Sequence, residues 1–99
     1  MNAARFQPEA RCQTTPGMLW TVEPEGVAVG DSLRHEWVRL AYPEAAVWDL
    51  LARGRTKAET ATLVRWIAAL APAEAEALVE QCLKRWQEEA RLRPWPTSP

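Results

Sequence analysis

The segment Arg39-Leu40-Ala41-Tyr42-Pro43-Glu44-Ala45-Ala46-Val47-Trp48-Asp49-Leu50-Leu51 most constrains the fold, because a strand-like run passes through one proline straight into an amphipathic helix. Pro43 has no backbone N–H to give a sheet, and its fixed φ suits the first turn of a helix. Glu44 then stands where the helix dipole favours an anion. Val47, Leu50 and Leu51 recur at spacings of three and four, which predicts a helix from about Pro43 to Arg53, with Gly54 placed to close it in a left-handed conformation.

Upstream of this junction the pattern is that of short strands. Leu19-Trp20-Thr21-Val22 is β-prone, Glu23-Pro24-Glu25-Gly26 supplies turn chemistry, and Val27-Ala28-Val29 is a second strand. After Gly30-Asp31-Ser32, Leu33 to Leu40 alternates as a third, with Glu36, Val38 and Leu40 on one face and His35, Trp37 and Arg39 on the other. Downstream, Thr56-Lys57-Ala58-Glu59 fits a capping box that opens a second helix. That helix carries Leu63, Val64, Ile67 and Leu70 and stops before Pro72. A third helix, from Ala73 to about Ala90, places Ala75, Leu78, Val79, Cys82, Leu83 and Trp86 on one stripe. The predicted order is a three-stranded antiparallel sheet followed by three helices, an α+β domain spanning residues 18–92. Residues 1–17 lack periodicity and read as a flexible N-terminal arm, and the proline-rich 93–99 as a flexible C-terminal tail.

Composition narrows the function. The chain of 99 residues suits one domain with a single core, and 12 Lys and Arg against 13 Asp and Glu give a net charge of -1, without the positive field that a phosphate backbone demands. No nucleic-acid partner is therefore expected. Two cysteines, Cys12 and Cys82, are too few for a zinc site or disulfide framework, and one histidine, His35, has no neighbouring nucleophile or ligand. This reading assigns no catalytic residue, no metal and no cofactor: the chain reads as a binding module, not an enzyme. The absence of a signal-like or membrane-spanning run points to a cytoplasmic protein without a membrane partner.

The strand ending in Leu40, the run Tyr42 to Leu51 with Gly54, the helix opening at Thr56 and the final Arg85-Trp86-Gln87-Glu88-Glu89-Ala90-Arg91-Leu92 together resemble the PqqD-like family, whose members are RiPP precursor peptide recognition elements. The resemblance covers roughly Leu19 to Leu92. It implies a winged helix-turn-helix-like adaptor, or chaperone, that binds the leader of a ribosomally synthesised precursor peptide and presents it to a modifying enzyme, often a radical SAM protein. It also implies that the leader adds as a strand to the edge of the third strand, in a groove shared with the last helix. Carried over by position, the peptide-binding residues are Arg34, Glu36, Trp37, Val38 and Arg39 on the strand, and Leu78, Val79, Cys82, Arg85 and Trp86 on the helix. The chain departs from the family pattern in having Ala41-Tyr42-Pro43 where an Asn often follows the strand, and Ala90 where a Gly often stands.

Each candidate also has a plainer reading. Trp37 is an anchor for a ligand or a cover for the sheet face. Arg34, Arg39 and Arg85 pair with acidic leader side chains or are solvated charges. Trp48, Trp66 and Trp86 lie beside apolar stripes and are expected at the core or its rim, while Cys82 behaves as a small buried hydrophobe. Two other functions compete with the adaptor: a winged-helix DNA-binding protein, for which the mixed charges of the second and third helices are a poor match, and a structural module that forms a homodimer through the edge of the third strand.

Overall fold

In the computed structural model, which describes residues 6–96, the chain runs β1 (Cys12–Thr14), β2 (Met18–Glu23), β3 (Gly26–Asp31), β4 (Glu36–Ala41), α1 (Glu44–Ala52), α2 (Lys57–Ala68), α3 (Pro72–Glu88) and β5 (Leu92–Pro94). The expected α+β arrangement of a three-stranded sheet followed by three helices is present, with β2, β3 and β4 antiparallel in that order. All six residues of β3, the central strand, are buried. Val27 and Val29 face the helices, where they join Met18 and the fully buried Val47, Trp48 and Leu51 of α1.

Local chemistry explains where the helices start and stop. Pro43 is the N-cap of α1, following a cis Tyr42–Pro43 bond, and its carbonyl accepts from Ala46 N at 3.0 Å. Thr56 and Glu59 form the predicted capping box: Glu59 N donates to Thr56 Oγ1 at 3.1 Å and Thr56 N to Glu59 Oε1 at 2.9 Å. These bonds favour the Glu59 carboxylate and hold its pKa below the usual range. At the end of α1, Gly54 has φ 87° and its amide donates to Leu51 O, while Arg55 N donates back to Leu50 O, a Schellman closure. The same closure ends α3 without a glycine. Ala90, at φ 59°, donates to Gln87 O at 3.0 Å, and Arg91 N reaches Trp86 O at 2.8 Å.

Three expectations need correction. Residues 1–17 and 93–99 are expected to form a flexible arm and tail, yet β1 and β5 pair, Cys12 opposite Pro94 and Thr14 opposite Leu92, and both Cys12 and Leu92 are buried in the core. The parts of those segments at 1–5 and 97–99 lie outside the described residues. The third strand of the meander starts at Glu36 rather than Leu33, because Asp31 Oδ1 accepts from Leu33 N and Arg34 N and turns the chain, with His35 at φ 56°. On α2 the inward face is Thr60, Ala61 and Val64; Leu63 is 40% exposed, Ile67 58% and Trp66 76%, so Trp66 is not a core residue.

Leu51→Ala, at a fully buried position, should lower stability by about 2–5 kcal/mol in denaturant unfolding, whereas Leu63→Ala on the outer face of α2 should change it by less than about 1 kcal/mol. Ala90→Gly relieves a left-handed side-chain conformation and should raise stability by about 1 kcal/mol in the same assay.

Candidate functional site

Strand β4 is bonded on one side only, to β3, so among the described residues its other edge carries unpaired N–H and C=O groups. The register divides its side chains between two faces. Glu36, Val38 and Leu40 stand opposite Asp31, Val29 and Val27, on the helix side of the sheet. Trp37 and Arg39 stand opposite Gly30 and Ala28, on the far side. The Trp37 ring lies flush on Gly30: a Cβ there would sit 2.8 Å from the ring, so the approach requires glycine. Arg39 forms an ion pair with Glu23 across the same far face.

On the helix side, β4 and α3 bound a groove of about 260 Å³. Its floor is apolar, formed by Val29, Val38, Leu40, Trp48 and Trp86, and its rim is charged, formed by Glu44, Arg85, Glu89 and Arg91. Trp48 meets Trp86 edge to face at 5.2 Å between ring centres, and Trp20 of β2 meets the other side of Trp48 at 6.2 Å. The rim charges are paired with one another. Arg85 Nη2 lies 3.1 Å from Glu44 Oε2, Arg91 Nε 2.9 Å from Glu89 Oε1, and Arg91 Nη2 3.8 Å from Glu36 Oε1. Arg91 is brought to this position by the left-handed residue Ala90 that ends α3. Thr15 Oγ1 donates to Ala90 O at 2.7 Å and Arg34 Nη1 to Glu89 O at 3.1 Å, fixing that end of the helix from two directions.

Of the ten residues expected to contact a ligand, Val38, Arg85 and Trp86 line this groove, and Glu36 adjoins it through Arg91. Trp37, 66% exposed, and Arg39 lie on the opposite face of the strand. Arg34 sits in the turn before β4, not on the strand. Leu78 is half-buried and outside the groove lining. Val79 and Cys82 face the core and are outside the groove lining, because that stripe of α3 packs inward on the helical layer. Leu40, Glu44 and Trp48, none of them among the expected contacts, also form part of the groove wall. The spacing of Glu44 and Trp48, one helical turn apart, carried that signal. Arg91, beyond the end of α3, carried none.

Against known proteins, no family model matches the sequence, and no curated protein matches it. Two solved structures share its fold. One is a lasso peptide synthetase B1 complexed with the leader peptide, at 18% sequence identity and a TM-score of 0.74, with 86% of this chain and 100% of that one covered. The other is TbiB1 in complex with the TbiA(beta) leader peptide, at 12% identity and the same TM-score, covering 86% and 99%.

The groove offers apolar contact and hydrogen bonding more than reactive groups. Among the described residues no group of three or more His, Cys, Asp or Glu is placed to hold a metal ion. Cys82, behind the groove, has its thiol pushed up to about 11, by burial first and by the nearby Glu44 carboxylate second, and burial raises Cys12 to about 11 as well. Both thiols are therefore poor nucleophiles near neutral pH. The unfolded chain gives up these protons near pH 9 and the folded chain only near 11, so stability should fall as pH rises through that window. Urea unfolding at pH 8.5 to 11 should show this decline, and a Cys12→Ala/Cys82→Ala variant should show a shallower one.

Proposed function

We propose that the protein is a non-catalytic adaptor that binds the leader segment of a ribosomally synthesised precursor peptide as an added strand on β4. The observation that carries this reading is the conjunction of an unpaired strand edge with an apolar-floored groove alongside it. An edge of this kind recognises extended backbone of any sequence, and the pockets beside it choose among side chains. The two solved structures of the same fold are both leader-peptide complexes, which supports this ligand class. The residues proposed to contact the leader are the β4 backbone from Glu36 to Ala41, Val38 and Leu40 from the sheet, and Arg85, Trp86 and Arg91 from the end of α3. Trp37 and Arg39 would meet only those leader side chains that project to the far face.

The proposed partner enzyme is one that matures such a peptide, and the chain is proposed to be a divergent relative of the PqqD-like family. One of the two fold neighbours is a lasso peptide synthetase B1, and nothing observed favours the radical SAM partner that the resemblance implied. DNA binding draws little support, because the outward face of α2 presents Leu63, Trp66 and Ile67 rather than a basic row.

The test is titration calorimetry of the full chain with any short precursor-like peptide that its gene neighbourhood encodes. A 1:1 complex is expected, weakened at least tenfold by Val38→Asp and much less by Trp37→Ala, with little change in the unfolding midpoint for either. A folded protein that binds no such peptide, or one whose edge is occupied by a second copy in sedimentation, would refute the proposal.

A further inference from the structure

Helix α2 carries an apolar stripe without cover. Leu63, Trp66 and Ile67 recur at i, i+3 and i+4, the spacing at which one helix packs on another, and all three are exposed, Trp66 most of all. Beside Leu63 the small side chains of Ala58 and Thr62 leave a shallow depression that Arg55 and Glu59 border. The helix turns Thr60, Ala61 and Val64 inward, packs on α1 and α3, and lends no residue to the groove at β4. The stripe is a surface separate from the one proposed for the leader.

The backbone and the charges of this face determine what fits it. The N–H and C=O groups of α2 are spent within the helix, and its first three N–H groups are taken by Ala10 O, Pro8 O and Thr56 Oγ1. A covering segment therefore gains no backbone pairing here, unlike at the edge of β4, and must satisfy its own. A helix does so and brings a stripe that can interdigitate with this one. The charge of the face is positive. Arg55 and Arg65 form no ion pair with any described residue, whereas Lys57 is paired with Glu80 and Arg53 with Asp49. Glu59, the only acidic residue of α2, is held at the helix start, where it accepts from Thr56 N at 2.9 Å. The Arg65 guanidinium lies over the Trp66 ring, 5.9 Å from its centre, so one cation stands on the apolar stripe itself. A second copy would set these arginines against their own kind, and a bilayer surface calls for a polar face richer in Lys and Arg than one that includes Glu59 and Thr62.

We propose that the exposed stripe of α2 docks an amphipathic helix of a partner protein, its apolar side chains covering Leu63, Trp66 and Ile67 and its carboxylates facing Arg55 and Arg65.

The test pans the folded full chain against displayed helix-forming peptides of about 20 residues, one face of which is randomised among apolar, acidic, basic and amide side chains. Synthetic versions of the enriched sequences are then measured by titration calorimetry. The indole N–H resonance of Trp66, assigned by its loss in Trp66→Phe, reports docking on α2. Enriched peptides are expected to shift it and to carry Asp or Glu beside an apolar stripe. They should lose about tenfold in affinity on Trp66→Ala, an exposed change that leaves the unfolding midpoint in place. Replacing their carboxylates with amides should weaken binding to the wild type about tenfold and make little difference on Arg55→Gln/Arg65→Gln. Val38→Asp, in the β4 groove, should change none of this. If no peptide is enriched, or the enriched ones lack acidic residues or leave the Trp66 resonance unmoved, this inference is overturned and the leader reading stands. It is overturned equally if Trp66→Ala converts a dimer into a monomer in sedimentation, or if vesicles of phosphatidylglycerol and phosphatidylcholine move the Trp66 resonance and acidic peptides do not.

Discussion

Three tryptophans from three separate elements hold this small domain together. Trp20 of β2, Trp48 of α1 and Trp86 of α3 stack edge to face in a row, with interplanar angles of 82° and 89°. Such contacts add about 0.5–1.5 kcal/mol each beyond the area they bury, and here they also tie the sheet to two helices. The row ends at the groove, so the floor of the candidate site is part of the core itself. The site is correspondingly preorganised: its apolar surface is held by packing that the fold requires with or without a ligand.

The exposed edge of β4 is the complementary feature. A free strand edge invites pairing with other chains, and natural proteins blunt such edges with charge. Here Glu36 and Arg39 stand on the strand itself, Glu36 beside the guanidinium of Arg91 and Arg39 paired to Glu23. Trp37, laid on Gly30, covers the far face of the strand, while Val38 and Leu40 give the helix-side face its apolar contacts. A strand added there, as proposed, would meet backbone groups at the edge, an apolar floor on one side and Trp37 with Arg39 on the other.

Much of this architecture was legible in the sequence wherever a residue type has one strong local use. Pro43 marked the entry to α1, Thr56 and Glu59 the capping box, and Gly54 the left-handed closure. The closures at Ala69 and Ala90 use the same left-handed geometry with alanine, which carries no such mark. The β1–β5 pair was hidden for a different reason: three-residue strands have too little alternation to register, and their partnership joins opposite ends of the chain. In α2, Leu63, Val64 and Ile67 look equivalent by spacing, but the face that meets the rest of the protein is narrow, and Thr60, Ala61 and Val64 fill it. The groove was half-visible. Val38, Arg85 and Trp86 follow from strand and helix periodicity, whereas Arg91 reaches the site only through the chain reversal at Ala90, a tertiary event.

That reversal also fixes the rim of the groove. A rim built from helix side chains alone would be mobile and solvated, and exposed ion pairs contribute little. Arg91 instead follows a helix end fixed by Thr15 and Arg34, precedes the buried Leu92, and is itself almost covered, so its guanidinium is held in place by backbone on both sides. Its charge is balanced by Glu89 and Glu36. In the proposed complex, backbone pairing on β4 supplies affinity that is indifferent to sequence, and the fixed side chains beside it supply the part that depends on which side chain arrives.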